Sequence, residues 1–152
     1  MALTWHTKPF DALSNSELYS MLRLRSEVFV VEQDCVYLDL DNIDQKAQHV
    51  IAINAEQEVV CCARIVAPGV KYDGASIGRI VTSPSLRGSG QGKELVRVAI
   101  DACSSLFSGK AITISAQQHL ERFYEAFGFE TTSTPYQEDG IPHIQMTRAA
   151  KR

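Results

Sequence analysis

Ser76-Ile77-Gly78-Arg79-Ile80-Val81-Thr82-Ser83-Pro84-Ser85-Leu86-Arg87-Gly88-Ser89-Gly90-Gln91-Gly92-Lys93 decides how this chain is read. Its first half is β-branched and apolar, and Ser83-Pro84-Ser85 closes it as a strand. Beyond its second half, Leu95, Val96, Ala99, Ile100, Cys103, Leu106 and Phe107 recur at three- and four-residue spacing, the period of a helix with one buried face. Three glycines therefore stand in the turn between a strand and a helix N-terminus. Such a turn suits a phosphate: glycine lets the backbone approach the anion, unpaired N–H groups point at it, and the helix dipole favours negative charge.

Spacing narrows the phosphate ligand. A dinucleotide fingerprint wants glycine at the first, third and sixth places, and the sixth place after Gly88 is Lys93. It also wants an acidic residue at the tip of the next strand, where Gln117-Gln118 stands. A triphosphate loop needs four residues between its glycines, followed by Lys and then Ser or Thr. Here three residues separate Gly88 from Gly92, and Lys93 precedes Glu94.

The stretch instead resembles the pyrophosphate loop of the GCN5-related N-acetyltransferases (GNAT): Gln or Arg, two residues, Gly, one residue, Gly or Ala. Arg87, Gly90 and Gly92 occupy those places. A second patch, Phe123-Tyr124-Glu125-Ala126-Phe127-Gly128-Phe129, resembles the aromatic and Gly-Phe signature on the helix after the next strand. Gln118 replaces the Asn usual six residues before that tyrosine, and Glu121 the usual small residue. Leu22-Arg23-Leu24-Arg25-Ser26-Glu27-Val28-Phe29-Val30-Val31-Glu32-Gln33, Ile77-Gly78-Arg79, Ala116-Gln117-Gln118-His119-Leu120 and Glu138-Asp139-Gly140-Ile141-Pro142-His143-Ile144 are similar to the ElaA-type branch.

The resemblance implies a single GNAT domain over residues 1–152. Its expected fold is α/β (α+β): a mixed, mostly antiparallel sheet of about seven strands with a central parallel pair, flanked by helices. It implies acetyl-CoA as acyl-donor substrate, held by Ile80, Val81, Thr82, Arg87, Gly88, Ser89, Gly90, Gln91, Gly92, Lys93, Gln118 and Arg122. The acceptor is a primary amine of a small molecule or peptide. A homodimer is left open.

Element by element, a strand is expected at 2–8. Ser14-Asn15-Ser16-Glu17 is a capping box opening a helix through about Val31, with Leu18, Met21, Leu22, Val28 and Phe29 inward. Residues 32–47 read as irregular and acidic. Strands follow at 48–54, 58–67 and 75–83, a helix at 90–107, a strand at 110–116 and a helix at 118–127. Two closing strands lie near 129–134 and 141–148. The crossover from 75 to 116 makes its two strands parallel.

Composition agrees with a folded, water-soluble chain: 152 residues, 45% hydrophobic and 22% charged. A net charge of −3 without a basic cluster argues against nucleic acid, and no apolar run reaches membrane-span length. The N-terminus lacks a signal pattern, so a cytoplasmic location is expected. Cys35, Cys61, Cys62 and Cys103 lack metal-site or paired spacing and read as buried reduced thiols, with no metal expected. Asp39, Asp41 and Asp44 lack the glycine and glutamate of a calcium loop and read as solvated.

Acyl transfer to an amine needs a neutral amine and a proton for the leaving thiolate. Deprotonating a lysine-like amine at pH 7 costs roughly 4.6 kcal/mol, from a pKa of about 10.4. Tyr124 reads as core by its helix stripe with Leu120, Phe123 and Phe127; the resemblance makes it the expected general acid. Family members often carry a base glutamate on the central strand, where this chain has Gly78 and Arg79. Glu32, His49, His119, His143 or a water wire remain open as base. Arg64 and Arg79, in apolar strands, are either paired structurally or line the acceptor cleft. The alternative reading is a non-catalytic acyl-CoA-binding or sensing module.

Overall fold

The computed structural model describes residues 2–150. Strand β1 (Thr4–Pro9) leads into helix α1 (Asn15–Arg25), whose capping box forms as expected. The Ser14 hydroxyl accepts from the Glu17 N–H, and the Glu17 carboxylate accepts from the Ser14 N–H. Met21, Leu24 and Val28 are buried, whereas Leu18, Leu22 and Phe29 only pack against that cluster. The helix does not run through Val31 as an α-helix. From Ser26 to Glu32 it widens to π geometry, with Gln33 N–H reaching back to Val28 and Cys35 N–H to Val30.

Strands β2 (Gln48–Ile53), β3 (Val59–Val66) and β4 (Ala75–Thr82) follow, then α2 (Gln91–Leu106), β5 (Ile112–Gln117), a 3₁₀ turn at Gln118–Leu120 and the short α3 (Glu121–Glu125). The closing strands are β6 (Glu130–Thr131), β7 (Tyr136–Glu138) and β8 (Ile141–Arg148). All eight lie in one sheet, ordered β1-β2-β3-β4-β5-β8-β6, with β7 also on β8. The count exceeds the expected seven because Pro135, which cannot donate to a ladder, splits one strand into β6 and β7 along the same edge of β8. Asp139 and Gly140, both at positive φ, make the two-residue turn that joins β7 to β8.

Alternation sends side chains to two clusters. Ala63, Ile65, Ile77, Ile114, Ala116, Ile144 and Met146 join Leu95, Val96, Ala99 and Tyr124 on one face. Ile51, Ile53, Cys62 and Val81 join Met21, Leu24 and Val28 from α1 on the other.

β4 and β5 are parallel, as the crossover requires, but pair only at Ala75 with Ile112 and Ser76 with Thr113. The closeness of that short ladder depends on Gly74, where a Cβ would lie 2.4 Å from the Ala111 carbonyl oxygen. Beyond it the strands part. β4 is bent by a bulge: Arg64 faces Gly78 and Cys62 faces Val81, so two steps on β3 meet three on β4. Arg79 in the bulge adopts φ +50°, unusual for a side-chain-bearing residue.

Asp39, Asp41 and Asp44 are not a solvated loop. They turn inward onto three arginines. Arg25 Nε is 2.8 Å from Asp39 Oδ2 and its Nη1 2.7 Å from Asp44 Oδ1; Arg64 grips Asp41 with two bonds of 2.8 and 2.9 Å. Arg79 Nη2 donates to the Asp39 carbonyl at 3.0 Å. Its Nε lies 2.7 Å from Asp39 Oδ1, with the N–H pointing past the oxygen, so that contact is ionic. Arg25 and Arg64 are each only 1% exposed. His49 Nε2 lies 2.8 Å from the Asp44 carbonyl. Three cations thus meet three anions, which offsets the cost of burying them.

Burial works to raise the Asp41 carboxyl, but the Arg64 hydrogen bond and charge, with the Ile43 N–H and Arg79, hold it down at about 2. Asp44 is likewise lowered against burial by Arg25 and Arg64. A depressed folded-state value means that stability is present above the unfolded carboxylate value of about 3.9 and is lost as pH falls toward about 2. Chemical-denaturation free energies measured from pH 5 to pH 2 should fall across that window. Asp44→Ala should cost about 3 kcal/mol at pH 7, since it strips a partner from buried Arg25 and Arg64. A flat profile would show that the network does not form.

Candidate active site

The parted strands leave a cleft of about 250 Å³ through the sheet. Its walls are Ile77–Thr82 of β4 and Ile114–Gln117 of β5. It is closed by Tyr124 from one side and by Cys35, Tyr37, Glu138, Asp139 and His143 from the other. Because β4 leaves β5 after Ser76, its facing backbone edge from Ile77 onward has no ladder partner there. An extended ligand could add to that edge through main-chain hydrogen bonds.

At one end β4 runs through a 3₁₀ turn at Pro84–Leu86 into Arg87 and α2. Gly88 and Gly90 adopt φ +79° and +84°, and Gly90 caps the helix in left-handed geometry. The first helical N–H to find a carbonyl is that of Glu94, on Gly90. Those of Gly88, Gly90, Gln91, Gly92 and Lys93 have no backbone partner among the described residues. Sixteen helical residues place their positive dipole end there. The turn can hold a phosphate-sized anion through backbone donors alone.

The expected site residues divide into three groups. Ile80, Val81, Thr82, Arg87 and Tyr124 come together around the cleft. Gly88, Ser89, Gly90, Gln91, Gly92 and Lys93 form the turn at the start of α2, next to Arg87. Gln118 and Arg122 are exposed on the 3₁₀ turn and α3, outside the cleft lining. The Arg87 guanidinium is engaged by Glu32, with Nη1 donating to Oε2 at 2.9 Å and Nη2 to Oε1. That bond, opposed by little burial, lowers the Glu32 carboxyl below its ordinary range.

Tyr124 is 6% exposed and makes edge-on contacts with Phe123 and Phe129, their ring centroids 5.1 and 6.1 Å away. Burial alone, with no hydrogen bond or charge contributing, pushes its phenol up to about 12. It therefore keeps its proton throughout the physiological range.

Sequence reasoning missed Cys35, Tyr37, Glu138 and Asp139. Cys35 is half-buried and donates its thiol to the Asp139 carbonyl at 3.1 Å, tying the loop after α1 to the β7–β8 turn; Cys61, Cys62 and Cys103 are buried as expected. The Asp139-Gly140 pair was the available signal. Read as a two-residue hairpin turn, it lays Tyr136–Glu138 against Ile141–His143.

Residues 15–150 match the model of the acetyltransferase (GNAT) domain. The chain is 38% identical over 148 residues to protein ElaA of Escherichia coli, 96% of each chain. The crystal structure of that ElaA superposes with a TM-score of 0.90 at 37% identity, covering 97% of this chain and 99% of that one. An acyl-CoA N-acyltransferase from Pseudomonas aeruginosa gives a TM-score of 0.93 at 37% identity, covering 97% of this chain and 100% of that one.

Because nothing among the described residues bonds the Tyr124 hydroxyl, Tyr124→Phe should leave folding intact, with an unfolding free energy within about 0.5 kcal/mol of the parent. Equilibrium denaturation checks this. A loss above about 1 kcal/mol, the net worth of a typical hydrogen bond, would mean that the hydroxyl has a structural partner.

Proposed function

The chain belongs to the GNAT acetyltransferases, in their ElaA-type branch, and from that premise we propose that it moves an acetyl group from acetyl-CoA to a primary amine of a small molecule or peptide. Acyl transfer from an acyl-CoA is the family's reaction. One observation carries the finer reading: Tyr124, whose phenol has no partner among the described residues, lines the same cleft as Arg87, which leads directly into the open amides of α2.

In this reading Gly88 to Lys93 hold the pyrophosphate by backbone donors. Lys93 and Arg122 meet outer phosphates, and the unpaired edge at Ile80, Val81 and Thr82 carries the extended arm of the donor. Gln118 borders that arm. Arg87 adds charge once Glu32 releases it, an exchange made cheap because the pair is solvent-exposed and screened.

Tyr124 acts on the leaving sulfur. Its phenol, pushed up to about 12 by burial, is a weaker acid than a thiol, so full transfer to sulfur runs uphill. The hydroxyl therefore works first as a hydrogen-bond donor, stabilising charge as it grows on sulfur, and passes the proton as the bond breaks. Such help is worth most in a dry cleft.

Gly90→Asp should raise the coenzyme A dissociation constant at least tenfold by calorimetry. It sets a Cβ in left-handed geometry and a carboxylate among the phosphate donors. Unchanged affinity in the folded variant would remove the loop from the site. Tyr124→Phe should keep coenzyme A affinity and lower kcat roughly 10²- to 10⁴-fold in a thiol-release assay across primary amines. Parental turnover with chemistry rate-limiting would return Tyr124 to the core. Binding by the parent without turnover on any amine would make the chain an acyl-CoA-binding or sensing module instead.

A further inference from the structure

We propose that His143, oriented by the Ile141 carbonyl and with Glu138 placed to stabilise its protonated form, is the base that takes the proton of the attacking amine; the inference rests on acyl transfer taking place in this cleft. The β4 strand carries no carboxylate between Ala75 and Thr82, so the base must come from elsewhere. Geometry separates the candidates. Glu32 is bound to Arg87 and held more acidic than usual, which makes it a poor proton acceptor. His49 is sealed in the arginine–aspartate network, and His119 is exposed on the turn before α3; neither lines the cleft.

His143 does line it, and is 8% exposed. It sits on β8 opposite Gln117, the last residue of β5, where that strand has left β4. Its Nδ1 lies 2.7 Å from the Ile141 carbonyl oxygen. A carbonyl can only accept, so Nδ1 carries the hydrogen, and the neutral ring keeps its lone pair on Nε2. Nε2 lies 3.3 Å from Glu138 Oε2, placed to stabilise the ring once it is protonated.

Glu138 is positioned in turn. Ser115 Oγ donates to its Oε1 at 3.3 Å and shares a 2.5 Å hydrogen bond with the Tyr136 hydroxyl. The Tyr136 ring stacks on the imidazole with centroids 6.3 Å apart. Base, orienting carbonyl and supporting carboxylate thus form a chain anchored on β5, β7 and β8.

Other charges and titratable groups reach this end of the cleft. Asp139 neighbours Glu138 on the hairpin, and Cys35 and Tyr37 approach from the loop after α1. Lys71 and Tyr72, between β3 and β4, both feel the Glu138 charge, and Arg79 is neutralised by Asp39 and Asp41. Of these, only Glu138 lies within ion-pair distance of His143 Nε2 among the described residues.

In the step itself the amine nitrogen bonds to the acyl carbon and the carbon–sulfur bond breaks. The nitrogen's proton goes to His143 Nε2, and sulfur receives the Tyr124 proton. Both groups then reset through solvent, so no further reactant is needed.

The test uses acetyl-CoA with benzylamine, spermidine and a lysine-containing peptide as acceptors, reading kcat against pH at saturating substrates. His143→Asn preserves a donor toward the Ile141 carbonyl and removes the base. It should lower kcat roughly 10²- to 10⁴-fold, abolish the acid limb of the profile and leave coenzyme A affinity unchanged, with added imidazole restoring part of the rate. Glu138→Gln should lower kcat by a smaller factor, because the protonated ring loses its carboxylate. It also carries the test should His143→Asn not fold. A parent-like acid limb in His143→Asn, or parental kcat in Glu138→Gln, overturns the base assignment while leaving acyl transfer standing. A parent that acetylates none of the three amines overturns both.

Discussion

The architecture of the cleft depends on the backbone of one arginine. Arg79 occupies left-handed geometry in the β4 bulge, a conformation that costs of order 1–3 kcal/mol unless its surroundings hold it. Those surroundings are ionic. Asp39 and Asp41 fasten the Arg79 guanidinium, and both belong to a loop that Arg25 and Arg64 pin to the sheet. Without the bulge, β4 would continue alongside β5 and the ladder that stops at Ser76 and Thr113 would close the opening. The strain and the ion pairs are two parts of one device: buried charge fixes a bend, and the bend makes the cleft.

Features written in neighbouring residues were legible from sequence. The capping box at Ser14, the α2 stripe from Leu95 to Cys103 and the glycine turn between Arg87 and Gly92 all depend on contacts within one turn of chain. The parallel β4–β5 pair followed from connection length alone. What sequence concealed lies in pairings across 14 to 40 residues, such as Arg25 with Asp39 and Arg79 with Asp39. An acidic stretch looks solvated until its arginines are known to converge on it. The π turn after Arg25 was hidden for a related reason, since Val28, Phe29, Val30 and Val31 suit either helical winding. Burial of Tyr124 was legible; the lack of a partner for its hydroxyl was not.

The cleft is electrically polarised along its length. Beyond Arg87 at one end, the turn into α2 presents five backbone N–H groups and a helix N-terminus, suited to anionic phosphate. The other presents Glu138 and Asp139, with the nearby arginines already neutralised by aspartates. In the proposed reading, a donor carrying its charge on phosphates and an acceptor bearing an ammonium would be drawn to opposite ends, which would order both before any bond changes.

A closed sheet would keep the two halves of the chemistry apart. Alternation puts Ile114, Ala116 and Ile144 on the face shared with Tyr124, and Ser115, Gln117 and His143 on the opposite face. Strands in an intact ladder lie about 4.8 Å apart and leave no passage between faces. Parting β4 from β5 after two residue pairs opens one while the rest of the sheet stays hydrogen-bonded. Under the proposed mechanism, a donor on one side and an amine on the other would meet at a single carbonyl, with proton source and proton acceptor each supported by a different layer of the fold. Tyr124 is packed in the α2–α3 core and His143 is held in the β7–β8 ladder, so the fold itself sets the positions of both groups.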